Sequence, residues 1–144
     1  SHNLPFTIHA GEAAGPESIK AALRLGAQRI GHGIRCLEDK NLIQDLKAAQ
    51  IPLEVCPTSN IQTNIFDSME HFPLAQLLDT GLLITINTDN MTVSNTTLAH
   101  EFALLQEKCG LDKTTARELS ENAARAVFSD SNEKIRLLSA LKQL

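Results

Sequence analysis

Residues 82–89 read Leu-Leu-Ile-Thr-Ile-Asn-Thr-Asp, and this stretch decides the fold class. Its first five residues are apolar or β-branched without alternation, which is typical of a strand buried on both faces of a parallel sheet. Polar residues follow at once, as they do where a buried strand ends and a surface loop begins. The stretch therefore predicts a parallel strand that carries Asp89 at its C-terminal end.

The same order of segments occurs three more times upstream. Short apolar segments at 6–8, 29–30 and 52–55 are followed by amphipathic stretches that predict helices at 16–25, 38–49 and 73–78. Strand–helix alternation at this spacing predicts a parallel α/β sheet. After the fourth strand the pattern becomes wholly helical, with helices predicted at 97–108, 112–127 and 133–141.

Four strand–helix units make half of a (β/α)8 barrel, a fold that typically needs about 250 residues. We therefore expect residues 1–144 to form a single domain that is a fragment of a longer barrel, with four parallel strands, their helices and further C-terminal helices. An open four-stranded parallel sheet is the structural alternative.

Composition and charge exclude several classes of function. The formal net charge is −4, no basic run occurs, and Trp and Tyr are absent, so we expect no nucleic-acid partner. The longest apolar run, at 82–86, is too short to span a bilayer, so we expect no membrane partner. The three cysteines are odd in number and far apart, which favours a reducing compartment. No signal-peptide pattern is visible, and a cytoplasmic protein is expected.

His9 and Glu12 follow the first apolar segment. A neutral imidazole at a strand end is a natural zinc ligand, and a carboxylate three residues later can act as acid and base without binding the metal. Gly11 between them lets the backbone turn closely around the site. The alternative is a turn in which Glu12 opens the next helix.

His32 follows the second segment and lies between two glycines, Gly31 and Gly33. Glycines here suggest close approach of a ligand or of neighbouring backbone. The alternative is a tight turn that contains a histidine by chance.

The third segment is followed by Cys-Pro-Thr-Ser-Asn at 56–60, which is most often a turn and a helix start. We expect Cys56 to be a small buried side chain, since no basic neighbour activates its thiol.

Asp89 emerges from the fourth strand and needs a charge partner, which a metal ion or a protonated histidine would supply. The alternative is an N-cap for the next helix. Together the four strand ends offer two histidines and two carboxylates, a set that can build a hydrolytic metal site.

These motifs resemble those of the adenosine/AMP deaminase family, a branch of the metal-dependent amidohydrolase barrels. The matching segments are 9–12, 29–33, 56–57 with 59–60, and 87–89, in the order of the family and at about its spacing. The resemblance covers essentially the whole chain. It implies the C-terminal half of a TIM barrel, with strands five to eight and the terminal helices.

The resemblance also implies the roles of the site residues. His9 and Asp89 would bind one Zn²⁺, and Glu12 would protonate N1 of the purine. His32 would orient the attacking water and assist its deprotonation, with Asp89 sharing that water. Gly11 would approach the purine through its backbone. The implied reaction is the hydrolytic deamination of adenosine, a purine nucleoside, to inosine and ammonia.

Two departures from the family pattern affect this reading. Many members carry a second aspartate that contacts purine N7, where this chain has Asn90, whose amide can donate to N7 directly. The family's other zinc ligands form a His-x-His pair on the first barrel strand, and no His-x-His occurs here. We therefore expect the isolated chain to be inactive, and its exposed half-barrel surface to favour a homodimer.

Two other functions remain open. The same chemistry could act on adenine or another aminopurine, because ribose contacts would come largely from the other half of the barrel. AMP is less favoured, since the strand-end loops hold no basic cluster for a phosphate. A non-catalytic interaction module built on the half-barrel is the alternative of a different class.

Overall fold

The computed structural model describes residues 4–143, and its four strands form one parallel sheet in the order β1-β2-β3-β4. The strands are β1 (Thr7–Ala10), β2 (Arg29–His32), β3 (Leu53–Val55) and β4 (Ile84–Ile86). Each strand pairs with the next one along the chain. Consecutive parallel neighbours joined by helical crossovers are the arrangement of a (β/α)8 barrel, so the predicted half-barrel is confirmed.

The helices lie between and after the strands. They are α1 (Pro16–Arg24), α2 (Lys40–Ala48), α3 (Pro57–Gln62), α4 (Leu74–Asp79), α5 (Met91–Ser94), α6 (Leu98–Cys109), α7 (Lys113–Ala126) and α8 (Ser131–Leu141). Short 3₁₀ turns cover Ile34–Glu38 and Met69–His71. The six helices that the sequence predicts are all present, with ends that differ by up to two residues.

Local chemistry explains where the helices start and stop. Pro16 opens α1 in the first turn, where its missing N–H costs nothing. Gly110 ends α6 with φ at 70°, and the Asp112 carboxylate caps α7 by accepting from the N–H of Thr115. The short helices α3 and α5 are additions to the prediction.

The core lies between the sheet and the helices that cover it. β4 is buried along its whole length, as its apolar sequence predicts. The side chains of Leu42, Leu105 and Leu119, from α2, α6 and α7, are at most 2% exposed. Within residues 4–143, no helix is both long and apolar enough to cross a membrane. The helical cover fixes the positions of the strand ends, where the polar residues gather.

Candidate active site

The carboxyl ends of three strands bring His9, His32 and Asp89 together. Their ligand atoms all lie within 4.8 Å of one another. His9 is the next-to-last residue of β1 and His32 is the last residue of β2, because both strands end two residues later than the sequence predicts. The meeting of strand ends at one edge of a parallel sheet explains the cluster.

The backbone at two of these residues is left-handed. His32 has φ at 61° and Asp89 has φ at 54°. For a residue with a Cβ, this conformation costs roughly 1–2 kcal/mol. Such strained residues cluster at functional sites, where the surrounding structure holds them in place. Both side chains are therefore aimed by local backbone geometry.

Gly31 makes room for His9. A Cβ at position 31 would overlap the imidazole of His9, which lies across the neighbouring strand. The two imidazoles of His9 and His32 then meet edge to face, with ring centroids 5.0 Å apart. The close backbone approach that the sequence predicts at this glycine is thus an approach to a site histidine.

His32 is buried, and its two ring nitrogens face different groups. Its Nδ1 is 3.2 Å from Nδ2 of Asn60. Its Nε2 has no hydrogen-bond partner and lies 3.5 Å from Oε2 of Glu12 and 4.0 Å from Oδ2 of Asp89. Burial lowers the pKa of His32 most strongly, while the charge of Glu12 opposes this shift. The imidazole is therefore neutral at pH 7, the form that binds metals.

Asp89 is oriented by a residue to which the sequence assigns only a turn. The hydroxyl of Ser59, in α3, donates to Oδ2 of Asp89 over 2.9 Å. Ser59 and Asn60 thus contact Asp89 and His32 from the same helix. Two sequence signals point to them, their position directly after β3 and their place in a segment that matches the family.

Glu101 is a buried residue that the sequence does not single out. Its side chain, in α6, is 0% exposed. Oε2 accepts from the backbone N–H of Thr58, and Oε1 accepts from the hydroxyl of Thr96 over 2.6 Å. Glu101 therefore fixes the first turn of α3, the helix that carries Ser59 and Asn60.

Glu12 lies beside the cluster of His9, His32 and Asp89, next to His32. Its side chain is 24% exposed, and Oε1 accepts from the hydroxyl of Thr63 over 3.4 Å. The preceding Gly11 has φ at 67°, and a Cβ there would overlap Ile19. The N–H of Gly11 donates to Oγ of Ser18, and its carbonyl accepts from the N–H of Arg35. These two bonds occupy the backbone groups that were expected to approach a purine.

Asn90 has a structural contact of its own. Its Oδ1 caps α5 by accepting from the N–H groups of Thr92 and Val93. The alternative N-cap role that the sequence leaves open for Asp89 thus belongs to its neighbour. The cap uses the oxygen of the amide, so the nitrogen is the group that Asn90 can offer to a ligand.

A cleft of about 430 Å³ opens beside the cluster. Its lining combines His9, Glu54 and Asp89 with the apolar side chains of Ile86 and Met91. Half of its lining residues are polar or charged, and convergent polar groups in a concave site of this size can bind a small molecule.

Cys56 also lines the cleft, but its thiol is not activated as a nucleophile. Its side chain is 5% exposed, and burial raises the pKa of the thiol to about 12. The thiol is protonated at neutral pH, which agrees with the predicted role as a small buried side chain.

The donor set fits a zinc ion. Imidazole nitrogens and a carboxylate oxygen are its usual ligands beside thiolates. The unpartnered Nε2 of His32, buried within reach of His9 and Asp89, shows that the cluster is not satisfied by protein contacts alone. His9, Asp89 and the neighbouring His32 are the described residues that could hold or face such an ion.

Comparison with known proteins gives one consistent family. The profile of the family described as "Adenosine deaminase" matches residues 1–144. An adenosine deaminase of Haemophilus ducreyi is 46% identical over 140 residues, which are 97% of this chain and 41% of that protein. One of Clostridium botulinum is 45% identical, over 96% of this chain and 42% of that protein. The chain therefore spans about two fifths of the length of these relatives.

Solved structures of related enzymes share the fold. An adenine deaminase of Arthrobacter aurescens superimposes with a TM-score of 0.94 at 33% identity, over 97% of this chain and 43% of that one. An Arabidopsis N6-mAMP deaminase gives 0.83 at 31%, over 97% and 41%. An amidohydrolase of Burkholderia ambifaria, solved with bound Zn, gives 0.86 at 21%, over 96% and 40%, and shows the fold alone.

Proposed function

Because the chain belongs to the adenosine deaminase family, we propose that the intact protein hydrolyses adenosine to inosine and ammonia as a zinc enzyme of purine salvage. The observation that carries the proposal is the convergence of His9, His32 and Asp89 within 4.8 Å, with Glu12 3.5 Å from His32. A scaffold has no use for two histidines and two carboxylates at one strand edge, so this geometry favours catalysis over an interaction module.

The metal would be held by His9 and Asp89, with the other ligands supplied from outside this chain. The donor set of imidazole nitrogens and a carboxylate oxygen supports the choice of metal. When bound, zinc lowers the pKa of water enough to make it a nucleophile at neutral pH. Both proposed ligands are held in place before binding, His9 by its packing over Gly31 and Asp89 by Ser59.

Side chains of the protein then transfer the protons. Glu12, in its carboxylic acid form, gives a proton to N1 of the purine, which makes C6 more electrophilic. The attacking water lies between His32 and Asp89, which orient it. As its oxygen bonds to C6, one water proton passes to a side chain that faces it and from there to the departing amino group. The second returns to Glu12 as the C6 carbonyl forms, so ammonia leaves and the acid is restored.

Asn90 and Gly11 are the residues proposed to contact the purine base. The free amide nitrogen of Asn90 donates to N7 of the purine, while its oxygen stays in the helix cap. Gly11 lies close to the base beside Glu12, although its backbone groups already have partners. Both assignments place a purine ring across the strand ends, with N1 toward Glu12 and N7 toward Asn90.

The sugar is the least determined part of the substrate. Adenosine is favoured by the relatives of about 45% identity, which are named adenosine deaminases. Adenine is the second candidate, because the adenine deaminase of Arthrobacter aurescens superimposes with a TM-score of 0.94. The residues proposed to reach the base contact only the purine, so both substrates fit them.

The chain alone provides only part of this site. It is proposed to be one domain-sized piece of a longer barrel, inactive in isolation, because it spans about two fifths of its relatives and contains no His-x-His pair. The cytoplasm is the proposed location, since three free thiols suit a reducing compartment.

The test is a comparison of two proteins loaded with zinc, the 144-residue chain and the same chain extended upstream to the length of its relatives. The long form should release ammonia from adenosine faster than from adenine, and the short form should release none. Glu12→Gln in the long form should retain zinc and lose at least about 100-fold in kcat. A zinc-loaded long form that deaminates neither substrate would refute the proposal. A preference for adenine would change the assigned substrate and leave the proposed mechanism unchanged.

A further inference from the structure

Asn60 is fully buried, and its side chain contacts the imidazole of His32. A neutral imidazole carries one proton, on Nδ1 or on Nε2, and the partner of one nitrogen selects the form. In the structure Nδ2 of Asn60 donates to Nδ1 of His32 over 3.2 Å. That contact leaves the proton on Nε2, the nitrogen that faces the site.

We propose that Asn60 is a positioning residue that selects the Nε2–H form of His32, so that His32 donates a hydrogen bond to the attacking water and Asp89 accepts the water's proton. The inference rests on the proposed deamination for its catalytic part, and on the geometry of Asn60 and His32 for its structural part.

The surroundings of Nε2 favour the same form. Oε2 of Glu12 lies 3.5 Å from Nε2 and Oδ2 of Asp89 lies 4.0 Å from it. A proton on Nε2 faces the carboxylate oxygen of Asp89, which is an acceptor whether or not Glu12 is protonated. The reverse form would instead place a lone pair of His32 against a lone pair of Asp89.

The surroundings of Asn60 agree. In the observed arrangement its Oδ1 is buried without a partner. Reversing the amide would leave both of its N–H groups without a partner, whereas the observed arrangement leaves one N–H and Oδ1 without a partner. Unpaired buried N–H groups are rarer in proteins than underused carbonyl oxygens, so the observed arrangement is the less costly one. The position of the helix that carries Asn60 is set in turn by Glu101.

The consequence for the reaction is that His32 and Asp89 have different roles. With its Nε2 already protonated, His32 has no lone pair on the nitrogen that faces the water, so it cannot accept the water's proton there. The carboxylate of Asp89, which accepts from Ser59 through one oxygen, has further lone pairs to receive that proton. The proton then passes from Asp89 to the amino group that leaves as ammonia, and the count of protons is unchanged.

The experiment is nitrogen NMR on the zinc-loaded, upstream-extended enzyme labelled with ¹⁵N-histidine, at one neutral pH. Long-range proton–nitrogen correlations report which ring nitrogen carries the proton, and His32→Gln identifies the signals of His32. The expected result is an unprotonated Nδ1 and a protonated Nε2. A protonated Nδ1 in the wild type overturns the proposal.

Two variants separate selection of the proton position from mere packing. In Asn60→Asp the carboxylate can only accept, so the proton should move to Nδ1 and kcat should fall at least about 10-fold with zinc content unchanged. Asn60→Leu, which brings no charge, should give a mixture of the two forms and a smaller loss. Gln62→Ala, on the same helix but bonded only to Ser94, should change neither signal.

The outcomes distinguish this inference from the proposed function. A reversed proton position in Asn60→Asp with unchanged or raised kcat would show that His32 acts as a proton acceptor, and would overturn the inference while deamination stands. The predicted proton positions in an enzyme that deaminates no purine would retain the role of Asn60 in fixing His32 and refute its catalytic part.

Discussion

Ser59, in α3, donates a hydrogen bond to the proposed metal ligand Asp89, and removing its hydroxyl oxygen tests this contact. Ser59→Ala removes the donor that lies 2.9 Å from Oδ2 and so frees the carboxylate to rotate. Loss of such a supporting contact typically lowers metal affinity by about 10–100-fold. Competition with a chelator measures this on the zinc-loaded, upstream-extended enzyme. Ser120→Ala, whose hydroxyl bonds only within α7, is the control, and equal zinc affinity in both variants would contradict the prediction.

Cys36 gives a prediction on pH. Burial raises the pKa of its thiol to about 12 from an ordinary 9.0. Between these values only the unfolded chain loses the proton, so this thiol's contribution to stability is complete below pH 9 and is lost as pH rises toward 12. The stability advantage of the wild type over Cys36→Ala should therefore shrink from pH 8 to pH 11, as measured by urea unfolding. A constant difference over that range would refute it.

The site residues differ in how far the sequence could predict them. His9, Glu12, His32 and Asp89 follow apolar segments, so their place at strand ends is a local property that pattern reading detects. The contact between Asn60 and His32 joins positions 28 apart, and nothing near either residue encodes it. Contacts of this kind depend on how elements pack, which a single sequence does not show.

At the scale of elements, the long helices were predictable and the short ones were not. Helices α6 and α7 have 12 and 14 residues, enough to show an apolar periodicity. Helix α5 has four residues and α3 has six, too few for a period to repeat. Short helices of this kind are held by caps and by tertiary contacts.

Glu101 is the contact that holds α3 to α6, and it carries the prediction at this scale. Glu101→Ala removes the acceptor of the part-buried N–H of Thr58, and it leaves the hydroxyl of Thr96 only the carbonyl of Thr97, 3.4 Å away. The loss should cost about 1–3 kcal/mol. Urea unfolding measures the loss. Glu101→Gln is the matched control, because its amide can accept from Thr58 and donate to Thr96. The idea fails if the Ala and Gln variants unfold at the same urea concentration.

At the scale of the whole molecule, the four strands are half of a closed sheet. β1 and β4 each pair with one neighbour in the described part of the chain, so each leaves one edge of backbone groups free. The count of strand–helix units predicts this correctly, because each unit has its own apolar segment. The sequence patterns within these 144 residues predict the paired sides of the four strands and carry no signal for what covers the free edges.

The free edges predict self-association of the chain when it is expressed alone. Large apolar side chains add to them, since Leu4 is 75% exposed and Val93 is 77% exposed. Unpaired strand edges and exposed apolar surface both drive association, so the isolated chain should sediment as a dimer or larger species at micromolar concentration. The upstream-extended protein should lose this tendency, because the added strands pair with β1 and β4. Folded monomers of the short chain that also deaminate adenosine would contradict both the association and the incompleteness of the site. Stable inactive dimers would agree with both, and would show that a second copy covers the surface without completing the chemistry.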